Sequence, residues 1–283
     1  MKSRMFLVCA IAMTAYLSVC TGYGQVPNNT AKVDFLAGDV GVSAQDGTKR
    51  SVAVGGSLGA GDTVETARNG ELHAVMADGG YVAVRPNSKF ILEAVSAKGG
   101  EDDQVLFSLV RGALRAVTGW VSKVNPRAQA IRTETVTIGV RGTDYEVVVI
   151  LRDEAQLGEQ AGTHGRANEG RIVMMQEARE LEVPAGGSAI AAADGTAPRL
   201  HEGIPALFER RRTANEGRVD QHSREISRHM ENSLRERGLL RKGESVEKFI
   251  ERRREEVERA RRTRVEREER REPERHPRPR RPL

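Results

Sequence analysis

Residues 133–150 read TETVTIGVRGTDYEVVVI, a stretch whose pattern predicts β-structure. Apolar and polar residues alternate in two short runs, Val136–Val140 and Asp144–Ile150, on either side of Arg141-Gly142-Thr143. Alternation with a period of two, rich in β-branched residues, is typical of β-strands. Glycine accepts backbone angles that other residues avoid, so Gly142 predicts a sharp reversal between the two strands.

The same pattern extends outward over residues 32–150, where glycine and β-branched residues are dense and helical periodicity is absent. The turn sequences Asp46-Gly47, Asn69-Gly70 and Asp78-Gly79-Gly80 each lie between two alternating stretches. We therefore expect an all-β domain whose successive strands are antiparallel neighbours or successive rungs. The predicted strands are 33–36, 39–44, 49–54, 63–66, 71–76, 81–84, 89–95, 105–110, 112–117, 128–133, 136–140 and 144–150.

Beyond Ile150 the composition changes in steps. A polar, glycine-bearing insert is followed by a last hairpin, a linker rich in small residues and a segment in which arginine and glutamate alternate in blocks. The predicted divisions are an exposed loop insert at 151–170, a final β-hairpin at 171–190, a linker at 191–207, a charged helical region at 208–272 and a disordered Pro/Arg tail at 273–283. The apolar stripe of the predicted helices is thin, so we expect them to bury little by themselves.

Charge is divided unevenly along the chain. Residues 209–283 contain 25 Lys+Arg and 17 Asp+Glu, a net charge of +8, whereas residues 1–208 contain 20 and 23, a net charge of −3. The basic character therefore belongs to the C-terminal part, and it does not indicate a nucleic-acid-binding fold. The favoured interpretation of this part is a solvated, mixed-charge helix and spacer. The alternative is that its basic clusters dock on anionic lipid headgroups, phosphorylated glycans or acidic proteins. The clusters are formed by Arg210, Arg211, Arg212, Arg252, Arg253, Arg254, Arg278, Arg280 and Arg281.

The N-terminus predicts export. Lys2 and Arg4 precede an apolar run that is short for a membrane span, which favours a cleaved signal peptide at 1–24 with Gln25 as the new N-terminus. The alternative is an uncleaved segment that anchors the protein in the membrane. Cys20 ends a sequence similar to a lipobox and is a possible lipidation site, so a periplasmic protein and an outer-membrane lipoprotein are both open. Once the signal is removed, we expect no transmembrane helix, and no cysteine is left for a disulfide, a metal site or a nucleophile.

Several segments together resemble the FecR domain, the periplasmic sensing domain of bacterial iron-dicitrate regulators. The resemblance implies a curled β-solenoid-like or β-roll-like stack of short strands. Regulators of this family carry a cytoplasmic helical domain and a membrane helix ahead of the periplasmic part, whereas about 30 residues precede the β region here, so we expect this protein to lack the cytoplasmic anti-sigma region. The family-like segments are 58–64 (LGAGDTV), 77–80 (ADGG), 85–88 (RPNS), 109–114 (LVRGAL) and 133–147, which include the motif residues Gly61, Asp62, Asp78, Gly79, Arg141, Gly142 and Thr143.

The residues predict no catalytic constellation, no cofactor and no metal site. The histidines lack metal-ligand spacing, the i, i+7 pair His222 and His229 being too small a set, and no Gly-x-Ser-x-Gly elbow is present. Trp120, the single tryptophan, is expected to be a packing anchor, with a ligand platform as the alternative. For Arg141, Gly142 and Thr143 a structural role is favoured over partner recognition.

We therefore expect a non-enzymatic envelope interaction module that binds a partner protein or an envelope polymer. The alternatives are a ligand-sensing signalling component that needs a separate membrane subunit, and an undetected hydrolase of envelope glycans. An anionic lipid is a possible further contact of the tail, and nucleic acid is not an expected partner outside the cytoplasm.

Overall fold

The computed structural model describes residues 30–155 and 158–271. Within these ranges the chain forms fifteen strands, followed mainly by helices. The strands are β1 (Ala31–Ala37), β2 (Val40–Ser43), β3 (Lys49–Arg50), β4 (Ser57–Leu58), β5 (Thr63–Thr66), β6 (Glu71–Met76), β7 (Tyr81–Val84), β8 (Lys89–Ser96), β9 (Gln104–Val117), β10 (Gln129–Arg132), β11 (Thr137–Ile150), β12 (Gly162–Gln176), β13 (Arg179–Pro184), β14 (Ser188–Ala192) and β15 (Arg199–Leu200). The helices are α1 (Trp120–Val124), α2 (Ala206–Arg210), α3 (Glu216–Arg224), α4 (Ile226–Glu236) and α5 (Val246–Arg271).

The strand pairings form two layers around one core. The first layer contains β1, β6, β7 and β14, and the second contains β2, β5, β8, β10 and β13. The long strands β9, β11 and β12 contribute one half to each layer. Because β2 follows β1 directly, the pairings from β1 through β6, β7, β9, β8 and β5 to β2 close a barrel-like circuit.

One hydrophobic cluster joins the facing sides of the two layers. Val82 and Leu114 come from the first layer, and Phe90 and Ile131 come from the second. Trp120 belongs to the same cluster, where its ring makes an edge contact with Phe249 at 5.5 Å between centroids. The prediction that Trp120 is a packing anchor is confirmed.

The local strand predictions are correct where turns delimit the strands, since β5, β6 and β7 begin and end at the predicted residues. The way the strands pair differs from the β-solenoid-like or β-roll-like stack that the family resemblance implied. All pairings among the described strands are antiparallel except β9 with β10, so the pairing does not show a solenoid, whose rungs would stack in parallel.

The predicted reversal at Gly142 is also wrong. The runs 136–140 and 144–150 belong to one strand, β11, and likewise 105–110 and 112–117 belong to β9. Gly142 has φ +63° and lies in an irregularity of register between Arg141 and Asp144. Such a bulge bends a strand without ending it, which lets β11 pass from one layer to the other.

Two predicted segment types need correction. The predicted exposed loop 151–170 ends early, because β12 begins at Gly162 and its first residues are buried against β11 and β14. The predicted linker 191–207 contains the end of β14, the short strand β15 and the start of α2. The signal peptide, Cys20 and the Pro/Arg tail with Arg278, Arg280 and Arg281 lie outside the described residues.

Helices α2–α5 form a C-terminal arm, defined as residues 205–271, that packs against the sheets. The arm buries more than its thin apolar stripe led us to expect. None of the helices in the described part of the chain is both long enough and apolar enough to span a membrane. The buried apolar residues of the arm are Leu207, Phe208, Val219, Met230, Leu234, Val246 and Phe249.

Candidate partner-binding face

The outward side of the first layer carries charged side chains. Along β11, Tyr145, Val147 and Val149 lie in the core, as their alternation predicts, so the intervening Asp144 and Glu146 point to the other side. Alternation in β9 and β12 brings Arg115 and Arg166 to the same side, and Arg85, the residue after β7, also lies there. We call it the charged face, made of Arg85, Arg115, Asp144, Glu146 and Arg166.

Opposite charges alternate across the strands of the charged face. Glu146 lies directly opposite Arg115 of β9 and Arg166 of β12. Arg115 donates to both oxygens of Asp144, from Nε at 3.0 Å and from Nη2 at 2.7 Å, and Arg85 donates to Glu146 at 2.6 Å. Cross-strand pairs of opposite charge stabilise a sheet, and a two-pronged arginine–carboxylate contact also fixes orientation.

Glu216 of helix α3 inserts into this face and connects its two buried arginines. One oxygen accepts from Arg85 Nε at 2.8 Å, and the other accepts from Arg115 Nη1 at 3.1 Å. Asp220, one turn further along α3, lies 2.8 Å from the same Arg115 nitrogen. Arg85 is 1% exposed and Glu216 is 5% exposed, so the contact is removed from water. Removing one partner of such a buried pair is strongly destabilising, because the other charge stays desolvated.

The electrostatics of Arg115 follow from these contacts. Burial alone would lower the pKa of Arg115, but the hydrogen bonds and charges of Asp144, Glu216 and Asp220 raise that pKa above its ordinary value. The guanidinium is therefore charged at any physiological pH. Arg85 Nη1 is buried without a hydrogen-bond partner among the described residues.

A second polar group lies beside the charged face, at β6, β7 and helices α3 and α4. His222 stacks on Tyr81 with centroids 4.4 Å apart and on His229 with centroids 3.8 Å apart. We call Tyr81, His222 and His229 the histidine stack. Tyr81 donates to Asp34 at 2.8 Å and contacts His73 Nδ1 at 3.2 Å.

The hydrogen bonds continue from His73 toward the arm. His73 Nε2 lies 2.6 Å from Glu71, which also accepts from Thr213 at 2.7 Å and Asn215 at 2.8 Å. Burial would raise the pKa of Glu71, but the hydrogen bonds of His73, Asn215 and Thr213 lower it overall. Glu71 is therefore a second carboxylate that connects the sheet and the arm.

The turn between β6 and β7 contains the family motif residues Asp78 and Gly79, and the arm lies directly on it. Gly79 has φ +79°, and its carbonyl lies 2.9 Å from His222 Nε2. A Cβ at this position would lie 2.8 Å from the carbonyl oxygen of His229, so only glycine allows this close approach. Asp78 accepts from Gly80 at 3.0 Å, and burial raises its pKa to about 6.

The other motif residues lie elsewhere. Asp62 bonds Arg50 and the amide of Gly59, which closes the turn around Gly61. Arg141 is exposed and lies directly opposite Arg171, while Gly142 has no atom within 4 Å of a Cβ position. Asp144, the residue that follows Thr143, brings the end of this segment to the charged face.

The described arginine clusters bond within the chain. Arg210 and Arg211 bond Glu159 at 2.7 and 3.5 Å, and Arg212 bonds Glu209 at 3.4 Å. In α5, Arg252 bonds Glu244 at 2.8 Å and Glu256 at 3.4 Å, Arg253 bonds Glu256 and the Gly99 carbonyl, and Arg254 donates to the Lys123 carbonyl at 2.6 Å. An anion that docked on these clusters would compete with partners on the protein itself.

Arg115 and Glu216 are absent from the sequence prediction, and Arg85 and Glu146 enter it only within the family-like segments 85–88 and 133–147, without a role. A signal was present, because Arg115 and Glu146 interrupt otherwise apolar strands, and a charge inside a buried strand needs a partner. His222 and His229 were considered only as metal ligands. Among the described residues no group of three or more His, Cys, Asp or Glu side chains is arranged to hold a metal ion.

Comparison with known proteins agrees with the family resemblance. Residues 62–163 match the family model described as FecR protein. None of the curated proteins matches the sequence. Two crystal structures, at 1.65 and 2.50 Å resolution, of a Parabacteroides distasonis ATCC 8503 protein provisionally described as an anti-sigma factor are similar at 9% identity with a TM-score of 0.39. The match covers 52% of this chain and 62% of that chain, less than two thirds of its length. Residues 62–163, about a third of the chain, are thus similar to a FecR domain.

Proposed function

We propose that this protein is a non-enzymatic binding module of an exported signalling or regulatory system, and that the charged face recognises a partner protein. The FecR match supports a signalling-related role. The observation that carries the proposal is the seating of α3, whose Glu216 and Asp220 occupy Arg85 and Arg115. A helix that presents two carboxylates one turn apart therefore fits this face in shape and charge.

The composition of the charged face fits reversible binding. An apolar sheet face would need a permanent cover, whereas paired charges such as Arg115 with Asp144 tolerate water when the cover leaves. The apolar contacts beside the pairs are small, since Val219 of α3 packs only on Tyr81, Ala83 and Val117 within its cluster, with partly buried neighbours. We infer that a partner helix with two carboxylates at the same spacing competes with α3 for the face.

The test is site-specific photo-crosslinking in cell-envelope fractions. A photoreactive amino acid replaces Arg166 at the partly exposed rim of the charged face, or Gly47, in a distant open turn, as the matched control. We expect one protein adduct, identified by mass spectrometry, from position 166 and none from position 47. Equal adducts at both positions, or none at position 166, would contradict the proposal.

Export itself is tested by mass spectrometry of the mature N-terminus. We expect a chain that begins at Gln25, and a lipid-modified N-terminal Cys20 would indicate the lipoprotein alternative. An intact Met1 in envelope-free cytosol would contradict the envelope location.

A second function, ligand sensing with a separate membrane subunit, is favoured by the FecR match alone. Deletion of the gene followed by transcript profiling tests it. A confined set of altered transcripts is expected, and an unchanged profile under envelope stress would dismiss it.

A further inference from the structure

Five histidines lie in the described part of the chain, and four of them are stacked in pairs. His222 stacks on His229, and His164 stacks on His201 with centroids 5.4 Å apart and ring planes 1° apart. The first pair lies where α3 and α4 meet the sheet. Like charges at these distances repel, so each pair favours the neutral form of its rings.

His222 is 5% exposed, and groups from the sheet and from α4 lie against it. From the sheet, the Tyr81 ring covers one face and the Gly79 carbonyl accepts from Nε2, which is protonated in the neutral tautomer that this contact requires. From α4, the His229 ring covers the other face. The carboxylates of Asp34 in β1 and of Glu225 between α3 and α4 are the nearby charges that favour a cation.

The surroundings of His222 disfavour its protonated, cationic form. Burial lowers the pKa of His222 to about 4, and His229 adds to the lowering, while Gly79, Asp34 and Glu225 oppose it. Burial and the charge of Arg228 also lower the pKa of His229. A free histidine has a pKa of about 6.5, so His222 is protonated more readily once it leaves the interface, and His229 is protonated more readily once His222 no longer covers it.

We propose that protonation of His222, reinforced by His229, releases helix α3 from the sheet and uncovers the charged face. This inference rests on the proposed function, since it gives the partner-binding face an acid-controlled cover. Helix α3 is the part of the arm suited to such release, because it is short and holds the sheet mainly through polar contacts. The helices α4 and α5 stay, because Met230, Leu234 and Phe249 belong to the main core.

The direction of the pH effect follows from the lowered pKa. The docked state holds His222 neutral, so docking is strongest above about pH 6.5 and weakens as the pH falls toward 4. At pH 5 the undocked ring is mostly charged and the docked ring mostly neutral. The docking equilibrium for His222 alone then falls by about thirtyfold relative to pH 7.5.

The experiment is hydrogen exchange with mass spectrometry on the whole protein, with rates divided by the intrinsic rate at each pH. We expect the protection of α3 amides to fall at least tenfold between pH 7.5 and pH 5, while β9 amides keep theirs. His222→Phe preserves the stack on Tyr81 but cannot be protonated, and it should remove most of the pH effect. The matched control His164→Phe should leave the pH effect on α3 intact.

Constant protection of α3 across this range would overturn the inference. An equal pH effect in His222→Phe would do the same, because it would assign the effect to other titratable groups. Loss of protection throughout the domain at pH 5 would also refute it, since that is global unfolding. The measurement needs no partner, so a failed crosslink at position 166 would overturn the proposed function without deciding the release of α3.

Discussion

Glu216→Gln tests whether a buried carboxylate holds the arm on the sheet. The change preserves side-chain volume and removes the charge between Arg85 and Arg115. The glutamine oxygen can accept from one guanidinium, but its amide then points N–H groups at the other. At least one charge-assisted hydrogen bond is lost, which is worth about 1.5–3 kcal/mol.

The loss has an upper limit that the structure also sets. Arg85 keeps Glu146, and Arg115 keeps Asp144 and Asp220, so neither guanidinium is left bare. The cost therefore stays below the roughly 3–5 kcal/mol of a fully broken buried pair. We expect the free energy of unfolding to fall by about 2–3 kcal/mol, and by a smaller amount if α3 simply detaches first.

The assay is urea unfolding followed by Trp120 fluorescence, with hydrogen exchange of α3 alongside it. Trp120 suits this purpose because its Nε1 donates to Ser233 of α4 at 3.1 Å and it contacts Phe249 of α5. The matched control is Glu209→Gln, whose carboxylate is 57% exposed and bonds Arg166 and Arg212 at 3.4–3.5 Å among the described residues. Exposed pairs contribute less than about 1 kcal/mol. If both variants differ from the parent by the same amount in urea and in α3 exchange, the buried carboxylate does not hold α3.

Three further changes separate the roles of single residues. Gly79→Ala should lower the free energy of unfolding, measured in urea, by more than about 3 kcal/mol and expose α4 amides, because the new Cβ meets the His229 backbone. Gly47 has a similar φ but open space around it, so Gly47→Ala should lower that free energy by about 1 kcal/mol. Asp78→Asn should stabilise the protein by roughly 2 kcal/mol at pH 8 and by little at pH 4. Burial raises the Asp78 pKa to about 6, so the protonated form that the folded protein favours is lost as the pH rises through 6. Equal urea midpoints of variant and parent at pH 8 would refute this prediction. Gly142→Ala should cost about 1 kcal/mol and leave crosslinking at position 166 unchanged, since nothing lies within 4 Å; a folded variant that loses the crosslink would assign the motif to recognition.

The strands could be predicted because their signals are local. Alternation from Glu71 to Met76, closed by Asp78-Gly79-Gly80, is a property of neighbouring residues, and the strand ends where the pattern ends. The bends were missed for the same reason. The sequence pattern around a glycine is the same whether the chain turns back there or continues past a bulge into a second layer. The strand β11 continues in this way at Gly142.

By itself the sequence determined the β-rich character of residues 32–150, the turns that separate many of its strands and the family resemblance, all of which depend on residues close together in the chain. The tertiary structure alone decided the two-layer pairing, the docking of the arm and the charged face. Glu216 lies 131 residues from Arg85 and 101 from Arg115, and no local pattern states which buried charges will meet. Partners at such separations are selected by the packing of the whole chain, because a buried charge is stable only where its counter-charge arrives.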